Sequence, residues 1–117
     1  MALESDLIVE LRALCPRVHI GTAPYGTAMP YVTWQHIGGD PLRYVDNTPA
    51  DKRRPEIQIN TWAATPMQAF ALIQQIEERL CAATAFQADP IGEPIGAYDD
   101  ADIASGYLQT FKILGVR

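Results

Sequence analysis

The chain has 117 residues, 48% of them hydrophobic, and a formal net charge of −5. That length supports one domain with a real core rather than two, and the lack of any run of about 18 apolar residues excludes a helical membrane span. The acidic balance argues against a phosphate-gripping surface, because nucleic-acid affinity comes mainly from Lys and Arg neutralising phosphates. Met1 to Leu7 lacks the basic and apolar regions of a signal peptide, so the expectation is a single domain over 1–117, made and used in a cytoplasm.

In chain order, Leu3, Leu7, Ile8, Leu11 and Leu14 recur at helical spacing with Glu4, Glu10 and Arg12 between them, which predicts an amphipathic helix over 3–14 ended by Pro16. Arg17 to Gly21 reads as a short strand. Thr22 to Pro30, with Pro24, Gly26 and Pro30, reads as a loop. Tyr31 to Ile37 is β-branched and aromatic and predicts a strand buried on at least one face, ended by Gly38-Gly39. Asp40 to Arg53 carries Pro41, Asp46, Asn47 and Pro49 with few apolar anchors, which predicts a long exposed loop between two strands. Loops of that length in small domains are usually functional or disordered.

Arg54 to Ala69 is the most informative stretch. From Glu56 to Trp62, Ile57, Ile59 and Thr61 fall on one face and Gln58, Asn60 and Trp62 on the other, the period of a half-buried strand. The period then changes: Thr65 is a good N-cap, Pro66 suits the first helical position, and Gln68 stands three residues after the cap. Ala69, Leu72, Ile73, Ile76, Leu80 and Ala83 form one stripe on this second helix and should pack on the sheet. Trp62 alternates away from the isoleucines, and its place is open between a second core face and a subunit interface.

In the last third, Pro90, Gly92 and Pro94 make any strand over 86–94 short or on an edge, and Ile95 to Tyr98 reads as a further strand. Asp99 to Asp102 and Ser105-Gly106 read as polar turns. Tyr107 to Val116 alternates Tyr107, Gln109, Phe111 and Ile113 against Leu108, Thr110, Lys112 and Leu114, a final strand apolar enough for a sheet interior. The predicted fold class is α+β: a mainly antiparallel sheet with two helices packed on one face, in helix-strands-helix-strands order.

No catalytic, cofactor or metal site emerges. Cys15 and Cys81 lack metal-ligand spacing and read as small buried residues near helix ends. His19 and His36 have no second ligand at neighbouring helical or strand spacing. Asp99, Asp100 and Asp102 lack the glycine and distant glutamate of a calcium-binding hand. The glycines match neither a dinucleotide fingerprint nor a phosphate loop. No enzyme activity and no cofactor are expected.

The joint order of a short amphipathic N-terminal helix, a Pro-rich loop ending Met29-Pro-Tyr-Val-Thr-Trp34, a polar loop, then Ile57-Gln-Ile-Asn-Thr-Trp-Ala63 into Thr65 and a helix resembles the tail completion proteins of long-tailed bacteriophages and prophages. These are also called tail-to-head joining or tail terminator proteins. Tyr98-Asp-Asp100 and the closing Gly106-Tyr-Leu-Gln-Thr-Phe111 extend the resemblance over nearly the whole chain. It implies a structural assembly protein in the host cytoplasm and then the virion tail. Its copies would form a ring, commonly six-fold, that caps the head-proximal end of the tail tube. The implied partners are other copies of the chain, the tail tube protein and head connector proteins, with DNA passing through the channel without specific binding. A head-side connector adaptor and a small ligand-binding module are the rival readings.

A cyclic ring uses two different patches per subunit. The Asp40 to Arg54 loop and an exposed sheet edge are the expected sources. Arg43, Tyr44, Asp46, Lys52, Arg53 and Arg54 are the candidate interaction residues, with Arg43, Lys52, Arg53 and Arg54 expected to pair with carboxylates such as those of Asp99, Asp100 and Asp102. A channel lined by Asp and Glu would repel passing DNA and let it slide.

Overall fold

The first helix forms where the leucine period predicts it. α1 runs over Leu3–Leu14, with Leu3, Leu7 and Leu11 fully buried. Ala2 supplies no side-chain cap, but Glu4 and Asp6 stand in the first turn, where carboxylates favour the positive end of the helix dipole. Cys15 ends the helix in extended conformation, its N–H donating to the Leu11 carbonyl at 3.0 Å.

A computed structural model describes residues 2–24, 26–98 and 105–116. After α1 come β1 (Val18–Ile20), β2 (Tyr31–Asp40), β3 (Lys52–Ala63), α2 (Pro66–Ala82), β4 (Gln87–Tyr98) and β5 (Ser105–Val116). The strands form one five-stranded sheet in the order β1-β2-β3-β5-β4, antiparallel except for the short parallel pair β1–β2. The fold is α+β, and α2 begins as its sequence predicts: the Gln68 N–H donates to Thr65 Oγ1 at 3.3 Å and Pro66 occupies the first turn.

One sheet face is apolar and covered by both helices. Val32, Trp34, Ile57, Ile59, Phe111 and Ile113 meet Leu3, Leu7, Leu11, Leu72, Ile73, Ile76 and Leu80 in a single core. Each such side chain removed from water stabilises the fold by about 1.5–3 kcal/mol. Thr61 Oγ1 donates to the Ala69 carbonyl at 2.8 Å, tying β3 to the first turn of α2. The opposite face, carrying Tyr31, Thr33, Gln35, Gln58, Asn60 and Trp62, has no helix over it, as one side of an antiparallel sheet allows.

Five expectations change. Gly38-Gly39 does not end β2. The register slips between His36 and Gly38, and the strand continues to Asp40 opposite Arg54. Gly39 has φ +125°, and a Cβ there would stand 2.6 Å from the Arg54 carbonyl oxygen and Pro55 Cα, so glycine permits the close pairing. The predicted loop over 40–53 is therefore an ordered hairpin tip over 41–51, with Lys52 and Arg53 inside β3. The strand expected over 86–94 does lie on an edge, but it and the further strand expected over Ile95 to Tyr98 are one element, β4, with its register shifted between Ile91 and Ile95, where Gly92 has φ +77°. Ser105 and Gly106 open β5 rather than a turn. Cys15 is buried as expected, but Cys81 is exposed, because it follows Leu80 off the apolar stripe of α2.

Candidate functional site

β2 and β3 make one long hairpin that begins in the core and runs past it, and the molecule is 51 Å long but only 26 × 25 Å across. The tip holds itself together. Tyr44 N–H donates to the Thr48 carbonyl at 2.9 Å, Asn47 N–H to the Tyr44 carbonyl at 2.8 Å, and Ala50 N–H to the Leu42 carbonyl at 3.1 Å. Asn47 takes the left-handed φ of 69° that asparagine tolerates in turns. Arg43 Nη1 donates to the Asn47 carbonyl at 3.0 Å, and Tyr44 O–H to Asp51 Oδ1 at 3.4 Å. Asp46 Oδ1 accepts from Thr48 Oγ1 at 2.7 Å and Thr48 N–H at 3.1 Å. Those two bonds, the hydroxyl first, hold its carboxyl below the usual range.

Below the tip lies a hollow of about 290 Å³ lined by Gly39, Asp40, Arg43, Arg53, Arg54 and Pro55 among others. The structure thus brings together Arg43, Arg53 and Arg54 and sets Tyr44 and Asp46 at the apex, while exposed Lys52 pairs with Val116 away from the hollow. Asp99, Asp100 and Asp102 lie outside the described residues.

Arg53 has a partner in its own chain. Its Nη1 donates to both Glu4 carboxylate oxygens, at 2.8 and 2.7 Å, and His36 Nε2 stands 3.0 Å from Glu4 Oε2. Partial burial raises the Glu4 pKa, but the hydrogen bonds from His36 and Arg53 outweigh it, and the net shift is downward. This cluster clamps α1 to the base of the arm. Nearby, Lys112 Nζ lies 3.4 Å from Asp40 Oδ2 and 3.8 Å from Glu56 Oε1.

The open sheet face holds a feature that the sequence leaves open. Tyr31 and Trp62 pair across β2 and β3 with rings stacked at 6.4 Å and 28°, and Trp62 Nε1–H donates to Thr33 Oγ1 at 3.3 Å. A Cβ on Gly106 would stand 2.7 Å from the Trp62 ring, so the glycine makes room for it on β5. Tyr31, Thr33, Asn60 and Trp62 line a cavity of about 240 Å³, with Gly21, Thr22 and Ala23 at its rim. The sequence signal for it was the alternation of Trp62 away from Ile57 and Ile59.

Among the described residues no three His, Cys, Asp or Glu side chains group as a metal site would require. Although Cys81 is exposed, partial desolvation of its sulfur and then Glu77 and Asp89 push the thiol pKa up, the opposite of an activated nucleophile. No helix among the described residues is long and apolar enough to cross a membrane.

The family model for tail completion protein gp17 matches residues 6–101. The chain belongs to this family of phage tail completion proteins. Its role is therefore a structural one in tail assembly. The matched region carries most of α1, the whole arm, α2 and β4, while β5, which lies between β3 and β4 in the sheet, falls beyond it. No curated protein matches the sequence.

Proposed function

We propose that this tail completion protein is a ring subunit that caps the head-proximal end of the tail tube and presents a surface to the head connector. The observation that carries the reading is the arm: a self-bonded tip held beyond a core that is complete without it, which is how a chain reaches a neighbour without unfolding to do so. The hollow with Arg43 and Arg54 fits an acidic surface on the neighbouring subunit or tail component, and charge pairing of this kind sets register and on-rate. Arg53 serves the arm itself through Glu4, so Arg43 and Arg54 are the cations left for the partner. The acidic balance of the chain suits a channel through which DNA slides without being held.

Removing the chain from an otherwise complete assembly system should leave overlong tails without heads under the electron microscope. Supplying Arg43→Glu/Arg54→Glu should leave the purified fold intact and fail to restore tail length. Tails of normal length and joined to heads in the absence of the chain would refute the reading.

A further inference from the structure

The apex of the arm exposes two large apolar side chains beside the polar Asp46, Asn47 and Thr48. Val45 has 108% and Tyr44 56% of its surface exposed, in the turn that closes the hairpin. The hydrogen bonds within the tip hold the apex in shape before any partner arrives, so little ordering entropy opposes a contact there.

At the other end of the same hairpin lies the cavity walled by Tyr31 and Trp62. The pairs Tyr31–Trp62 and Asp40–Arg54 mark the two ends of β2, so cavity and apex are separated by the ten residues of that strand and by the tip, about 30 Å or more. At about 240 Å³ the cavity is below the size of most small-molecule sites and suited to one or two side chains. Among the described residues its lining holds no charged group. Asn60, one of its lining residues, makes no hydrogen bond through its side chain among the described residues.

The charges flanking the two features also match. Arg17 donates from Nε to the Pro30 carbonyl at 2.9 Å, which sets its guanidinium beside the Tyr31 end of the cavity, and it has no carboxylate partner among the described residues. Asp46, next to Val45 in the chain, has no cationic partner among them.

We propose that Val45 and Tyr44 form a knob that enters the Tyr31–Trp62 cavity of a second copy of this chain, with Asp46 brought against Arg17 at the rim. The inference rests on the ring reading for its biological setting and names the contact that would build the ring. The two surfaces are unlike and lie at opposite ends, so each copy keeps a free knob and a free cavity after one contact and adds further copies head to tail. An uncharged knob in an uncharged aromatic cavity supplies the buried centre, and the single ion pair at the rim fixes register.

The test is a cysteine cross-link. In a Cys81→Ser background, which removes the exposed native thiol, Val45→Cys/Asn60→Cys is oxidised both as concentrated purified protein and in tails isolated from assembly. A covalent ladder extending past two copies, lost when Trp62→Ala is added or when only one new cysteine is present, is the expected result. Val45→Asp, at a fully exposed position, should keep its melting temperature and weaken self-association at least about tenfold. Monomers only, in both samples and with the fold intact by circular dichroism, would overturn the proposal. A ladder that stops at two copies keeps the contact and removes the ring. Tails that cap normally without this chain remove the ring as well, and the purified protein then decides the contact alone.

Discussion

The hairpin of β2 and β3 behaves as two structures on one pair of strands. Near Tyr31 and Trp62 it is part of the domain, with Ile57 and Ile59 buried beneath two helices and β5 paired alongside. Near Asp40 and Arg54 it leads into an arm, bearing charge on its surface and held by glycine pairing, local turn bonds, the Glu4 clamp to α1, the Lys112 contact with Asp40 and, through Lys52 and Arg53, the end of β5. The difference teaches that fold and function are divided along the strand rather than between elements. Stability resides in the half nearer the core, and recognition is assigned to the other half and to the open face at the base.

Substitutions should separate the halves. Phe111→Ala, opposite Ile57 in the buried half, empties the middle of the core and should cost about 3–5 kcal/mol in urea unfolding, much of the total stability of a domain this size. A loss under 1 kcal/mol would break the comparison at its strongest point. Gly39→Ala in the arm meets the Arg54 and Pro55 backbone and a φ that alanine resists, and should cost about 2 kcal/mol. Its effect should appear as faster amide hydrogen exchange in residues 38–54 while the exchange of α2 is unchanged.

The smallest effect belongs to the clamp between the halves. Glu4→Gln should cost less than about 1 kcal/mol, since the Arg53 and His36 contacts are partly open to solvent. Because the Glu4 pKa is lowered in the fold, its contribution is present above the ordinary carboxylate pKa and is lost as pH falls through the folded value. The stability gap between wild type and Glu4→Gln should therefore be present at neutrality and close as acid protonates the Glu4 carboxylate. A gap that widens with acid would remove Glu4 as the clamp.

What could be read from the chain alone follows the range of the forces involved. Thr65, Pro66 and the Ala69-to-Leu80 stripe act within a few residues of one another, and both helices, the β3 faces and the sheet-interior place of β5 were legible. Gly38-Gly39 was misread because glycine signals a stop and a close approach with the same letter, and only the register with Arg54 and Pro55 tells which. Of the candidate interaction residues, the exposure of Tyr44 and Asp46 was legible. The pairing of Arg53 with Glu4 was not, because the two are 49 residues apart and meet only through the fold. The Trp62 cavity was half legible, since alternation sends the ring to the second face but says nothing of the loop that walls it.

The edge strand β4 has a bearing on the subunit before it is used. An assembly protein accumulates among identical copies, where a straight outer strand with all its N–H groups would invite copy after copy to stack into fibres. Pro90 and Pro94 have no N–H to offer, and Gly92 kinks the strand between them. The same residues that obscured this strand in the sequence thus make this side of the sheet a poor template for another copy's strand.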